Sequence, residues 1–140
     1  MFFLIYVSSA TRLFSDEELV DLLEKARRNN ESLGITGMLL YKDGNFMQML
    51  EGPRKNVLAL MEKIKKDPRH HGVLVMIQEE TTKREFDDWA MGFRKIGGEE
   101  EMANVPGYTD FLDVPLTDER FLEKPSRSLM LLRNFKTMMR

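Results

Sequence analysis

The stretch that most constrains the chain is residues 33–52, LGITGMLLYKDGNFMQMLEG. Apolar runs at 35–41 and 45–50 flank Lys42, Asp43 and Gly44, a turn signal whose glycine supplies a left-handed position, so a β-hairpin is expected here. Alternate side chains of a strand share a face, which sets Gln48 beside Phe46 and Leu50 on a face of buried character. An amide left unpaired there costs about 1–3 kcal/mol, so Gln48 is satisfied either by the fold or by a bound molecule.

Length and charge bound what that molecule is. A chain of 140 residues holds one domain with a genuine core and a short appendage. Apolar residues at 42% and charged residues at 31% fit a globular protein. With 21 basic against 23 acidic side chains the net charge is −2, which gives no general attraction to nucleic acid or to an anionic membrane. The absence of cysteine excludes disulfides, thiolate metal sites and thiol catalysis, and leaves the compartment open. The N-terminal apolar run is too short to cross a bilayer and has no basic region before it, so it reads as a first strand and a cytoplasmic location is expected.

Residues 2–8 alternate, with Phe2, Leu4, Tyr6 and Ser8 on one face and Phe3, Ile5 and Val7 on the other, as suits a central strand covered on both sides. Ser15 followed by Glu18 is a capping-box signature, and Leu19, Leu22, Leu23 and Ala26 recur at helical spacing, predicting a helix over 16–30. Gly52 and Pro53 open a second helix with Val57, Leu60, Met61 and Ile64 as its buried stripe, and Pro68 stops it. Further strands are expected at 73–77 and 89–93, joined by a polar segment that includes Thr81, Arg84 and Phe86. The order β-α-β-β-α-β-β implies an α+β fold, a ferredoxin-like mixed sheet with an added strand and two helices on one face. Residues 1–95 would form this domain. Residues 96–140 would form a linker and a C-terminal helical cap over the opposite face, where Ser126 can cap a helix over 126–138 carrying Leu129, Leu132 and Phe135.

Several polar positions allow two readings each. Asn30 continues the stripe of Leu19, Leu23 and Ala26, with Asn29 at its edge; paired asparagines also close helices. Lys63 and Asp67 lie one turn apart around Ile64, either facing the first helix or forming a surface ion pair. Tyr6 is a core aromatic or a redox centre, and Gln48 a structural hydrogen bonder or a ligand contact. Adjacent His70 and His71 diverge and, without thiolates nearby, are poor metal ligands. GITG at 34–37 lacks the lysine of a phosphate loop, and neither a nucleophile elbow nor HExxH is present. Met47, Met49, Met61, Met76 and Met91 read as fillers of core gaps, and Trp89, Met91 and Phe93 as one packed strand face.

Taken together, Tyr6 with Ser8 in the first strand, RRNNESLGITGMLLY at 27–41, GNFMQMLEG at 44–52, KDPRHH at 66–71 and FDDWAM at 86–91 resemble the BLUF domain, a flavin-binding blue-light sensor module. The resemblance covers about residues 2–93, and its specificity lies in the ordered combination.

The resemblance implies FAD as cofactor, with the isoalloxazine ring between the two helices. It implies Tyr6 as light-driven electron and proton donor, and Gln48 as the amide between that tyrosine and flavin N5 and O4. Asn30 would hold the O4 and N3 edge, Asn29 and Lys63 the O2 side, and Asp67 the ribityl side, with Ile64 among the flavin contacts. Trp89 and Met91, with Ser8, would pass the signal on. One departure is Lys63, where family members often carry arginine; lysine keeps the charge and loses the planar fork. The implied outcome is a rotated or tautomerised Gln48, a reversible red shift and no net turnover, so no enzyme is expected. With no room for an attached output domain, output is expected through a separate downstream effector protein or self-association, and partners would include neither nucleic acid nor membrane. A light-insensitive ferredoxin-like interaction module and a small flavoprotein oxidoreductase are the alternative readings.

Overall fold

The computed structural model describes residues 1–84 together with the backbone of Gly92–Ile96. The elements follow the expected order: β1 (Phe2–Ala10), α1 (Asp16–Leu33), β2 (Thr36–Lys42), β3 (Asn45–Gly52), α2 (Arg54–Lys65), β4 (His70–Glu80) and β5 (Gly92–Ile96). Five strands form one sheet in the order β4-β1-β3-β2-β5. The first four pair antiparallel and β5 adds to β2 in parallel, so the sheet is mixed.

The hairpin forms where the apolar runs require it. Asp43 at φ 48° and Gly44 at φ 85° make a two-residue turn with both central positions left-handed, the twist that matches the flanking strands. The turn fixes register: Tyr41 pairs with Phe46 and Leu39 with Gln48, while on the other side of β3 Tyr6 pairs with Gln48 and Leu4 with Leu50. These residues share one sheet face, and Leu19 and Leu23 of α1 with Val57 and Met61 of α2 pack against it to form the core. Both helices therefore lie on one face, as expected. The opposite face is also apolar, with Phe3, Ile5, Met38, Leu40, Met47 and Met49 buried.

Helix α1 begins with the capping box that the sequence signals. The Ser15 hydroxyl accepts from the Glu18 amide and the Glu18 carboxylate accepts from the Ser15 amide, each at 3.1 Å. Its end differs from expectation. The helix runs to Leu33 rather than Asn30, because Gly34 at φ 68° takes the left-handed closing position and donates its amide to the Asn30 carbonyl. The asparagines do not close this helix; Asn30 is a buried residue in its last turns.

Three further expectations are corrected. Strand β4 extends well beyond 73–77 at both ends, and as an edge strand it exposes alternate side chains, so Leu74 and Met76 face solvent and Met76 is no core filler. Asp67 lies beyond the end of α2 and pairs with Arg69 at 2.6 Å, so no Lys63–Asp67 ion pair forms. The described part of the last strand, Gly92–Ile96, runs past the expected end at 93; residues 89–91, with Trp89 and Met91, and the expected linker and helical cap beyond that strand lie outside the described residues. No helix among the described residues is long and apolar enough to cross a membrane.

Candidate functional site

A cavity of about 280 Å³ opens between the two helices and the sheet. Its side walls are Leu22 and Ala26 of α1 and Leu60 and Ile64 of α2, which belong to the apolar stripes of their helices and are only partly buried because they face this space. Tyr6, Leu39, Phe46 and Gln48 form the sheet wall, and Phe14 closes one side by stacking edge-on to Phe46 at 5.2 Å between ring centroids. Asn29, Asn30, Lys63 and Asp67 also line it, so the structure brings together every predicted cofactor-contact position.

At the sheet wall the Tyr6 hydroxyl donates to Gln48 Oε1 at 2.5 Å. Burial pushes the Tyr6 phenol well above its ordinary pKa, and the negative charge of Asp67 adds to the effect, so Tyr6 is held as a neutral donor. With its oxygen engaged by the phenol, the Gln48 amide turns its NH2 branch away from Tyr6. The fold thus supplies one partner for the buried Gln48 amide, and the cavity lies against the same side chain.

On the helices, Asn30 is only 2% exposed, whereas Asn29 and Lys63 are exposed at the rim. Asp67 is held by bonds from the Arg69 guanidinium and backbone, which keep its carboxyl below the usual carboxylate range against the opposing effect of burial. Ser8 is not among the lining residues; it meets the site through His70, whose Nδ1 lies 2.8 Å from the Ser8 hydroxyl. Trp89 and Met91 lie outside the described residues.

The sequence reading missed His70, Phe14, Arg69 and Lys25 as cavity residues. A signal existed for Lys25, three residues after Leu22 and four before Asn29 on α1, and for His70. Adjacent strand residues point oppositely, so of the pair at the start of β4 one reaches the cavity while His71 is exposed. Arg69 and Phe14 sit in connections whose path no periodicity reports.

The lining fits a flavin. Aliphatic plates on both sides suit a flat ring, the buried amides Asn30 and Gln48 suit its imide edge, and Lys63 at the margin suits an anionic tail, while Lys25 and Arg69 are paired with Asp21 and Asp67. The cavity volume of about 280 Å³ lies at the low end of small-molecule sites.

Comparison with known proteins agrees with this geometry. The family model of BLUF, sensors of blue light using FAD, matches residues 1–92. The photoactivated adenylate cyclase subunit beta of Euglena longa is 37% identical over 110 residues, a match covering 78% of this chain and 12% of that protein. Among solved structures, the dark state of the BLUF protein BlrB superposes with a TM-score of 0.67 at 30% identity, covering 94% of this chain and 96% of the other. Klebsiella pneumoniae BlrP1, in a complex with manganese and cyclic diGMP, gives a TM-score of 0.72 at 27% identity over 98% of this chain and 33% of the other. The chain thus spans a small part of the curated relative and nearly the full length of BlrB. A cavity between the helices walled by Tyr6 and Gln48, in a chain matched by the family model over residues 1–92, places this protein in the BLUF family of FAD-dependent blue-light sensors.

Proposed function

We propose that the switch of this receptor is the Tyr6–Gln48 hydrogen bond, and that its output passes by protein contact to a separate effector or to a second copy of the chain. The observation that carries the reading is the 2.5 Å bond from the Tyr6 hydroxyl to Gln48 Oε1 in the cavity wall. When bound, FAD supplies the blue-light absorption and a transient acceptor for one electron and one proton.

Tyr6 is the phenol lining the cavity among the described residues, so it is the donor in this reading. Its raised pKa keeps the proton in place until the ring is oxidised, whereupon a phenol becomes a strong acid and passes the proton to its partner. Gln48 is that partner: its Oε1 would take the phenol proton while its NH2 branch would release one toward the bound flavin, an exchange that would leave the amide rotated or tautomerised. Tyr6 would then recover its electron and proton, and the changed Gln48 amide would offer the flavin a stronger hydrogen bond, which would shift absorption to longer wavelength. Nothing is consumed, so the chain itself turns over no substrate.

Asn30 anchors the imide edge in this reading, supported by its burial at the cavity. Asn29, Lys63, Ile64 and Asp67 also line the cavity, where the first two would hold the O2 side from the rim, Ile64 would pack on the ring and Asp67 would lie toward the ribityl side. Blue-light difference spectra of the FAD-loaded protein without reductant test the proposal. A reversible red shift supports it; bleaching that needs a reductant points to an oxidoreductase, and a protein that stays colourless with added FAD points to an interaction module.

A further inference from the structure

We infer that His70 is a positioning residue of the switch, a clamp that ties β1 to the end of α2 and thereby holds the Tyr6 phenol in reach of Gln48. The inference rests on the Tyr6–Gln48 reading and extends it to a residue behind the pair.

Both nitrogens of the His70 ring are engaged. Nε2 meets the Ile64 carbonyl at 2.5 Å, and because a carbonyl only accepts, the proton sits on Nε2. Nδ1 meets the Ser8 hydroxyl at 2.8 Å. Ile64 lies in the last turn of α2, its carbonyl also accepting from the Asp67 amide at 3.1 Å, and Ser8 is buried two residues after Tyr6 on the same strand face. The imidazole thus spans from helix to strand. Its ring lies edge-on to Tyr6, with centroids 6.4 Å apart, and edge-on to Phe46 at 6.5 Å.

The backbone explains why such a clamp is needed there. Pairing of β1 with β4 slips twice, once between Ile5 and Tyr6 and again between Val7 and Ser9, so Ser8 has no register partner on β4. Tyr6 therefore sits in the one section of β1 whose ladder to the edge strand is irregular. The Ser8–His70 bond supplies a side-chain tie where the ladder omits one. Proton transfer through a hydrogen bond tolerates little displacement of donor from acceptor, so a tie beside the donor bears on the photoreaction as well as on the fold.

The test compares the full chain with His70→Phe, Ser8→Ala and the double variant, each loaded with FAD. His70→Phe keeps a ring against Tyr6 and Phe46 and loses both bonds; Ser8→Ala loses one. Each single variant is expected to retain FAD, to lower the quantum yield of the red-shifted form several-fold and to broaden the flavin fluorescence decay, and the double variant is expected to be no worse than His70→Phe. In the flavin-free protein, nitrogen-15 NMR is expected to show the Nε2–H tautomer of His70 and a Nδ1 resonance that moves in Ser8→Ala.

If His70→Phe does not fold, the Ser8→Ala yield and resonance decide alone. Unchanged yields, effects that multiply in the double variant, or a Nδ1 resonance indifferent to Ser8→Ala overturn the inference while leaving the Tyr6–Gln48 reading intact. Absence of any red shift in the unmodified protein overturns both.

Discussion

Tyr6 and Gln48 are register partners on adjacent strands, and the phenol hydroxyl of one donates to the amide oxygen of the other on the helix-covered face of the sheet. In the proposed switch each side chain supplies a different half. Tyr6→Phe keeps the ring and its packing and removes the proton and the readily oxidised phenol, so this variant is expected to bind FAD and to give no red-shifted form. Gln48→Leu keeps volume and removes the amide that rearranges, with the same spectral outcome. Difference spectra before and after blue light check both, and a normal photoshift in either variant contradicts the assignment.

Asn29 and Asn30 are neighbours in sequence and unequal in position, since Asn30 is buried at the cavity and Asn29 lies at its exposed rim. Truncating a buried amide leaves the groups it bonded unpaired, so Asn30→Ala is expected to weaken FAD binding by about 1–3 kcal/mol. Asn29→Ala should cost distinctly less, because water replaces its contacts. Titration of both apoproteins with FAD measures the difference, and equal losses would remove the special role of Asn30.

Most of this fold was legible because its signals are local. The capping box at Ser15 and Glu18, the Asp43–Gly44 turn and the alternation of 2–8 each depend on a few neighbouring residues. The end of α1 was harder, since Asn and Gly both tolerate the left-handed conformation and only the cap geometry shows that Gly34 takes it. Gln48 stood out as an amide among apolar neighbours, which is how a site looks in a pattern otherwise set by packing. His70, Arg69 and Phe14 gave no such contrast. Asp67 paired with Arg69 rather than Lys63 because the helix ended between Lys63 and Asp67, a tertiary fact that helical spacing cannot report.

Gly34 offers a stability test separate from the light reaction. A Cβ there would meet only Pro53, at an ordinary 3.8 Å, so space permits alanine while φ 68° does not favour it. Gly34→Ala is expected to destabilise the fold by about 1–2 kcal/mol from left-handed backbone strain. Gly34→Asn should recover part of that loss, because Asn tolerates this conformation better. Denaturant melts of the three proteins give the values, and Asn no better than Ala would show that contacts rather than dihedral strain set the cost.

Asp67 links the site to pH. Hydrogen bonds and charge from Arg69 hold its carboxyl below the ordinary range, with a further contribution from His70. A carboxylate whose folded pKa is depressed stabilises the fold fully above its unfolded value, about 3.9, and loses that contribution as pH falls through the folded value. Wild type is therefore expected to be more stable than Asp67→Asn at neutral pH, with the two melting curves converging in acid. Partial exposure of the Asp67–Arg69 pair keeps the difference modest. The same substitution removes the charge that reinforces the raised pKa of Tyr6, while burial, the larger cause, stays. In Asp67→Asn the Tyr6 phenol should titrate at lower pH than in wild type and still above the ordinary value of about 10. Stability against pH and the alkaline absorbance of Tyr6 check the two halves; a phenol titration unmoved by Asp67→Asn would show that its charge does not reach the switch.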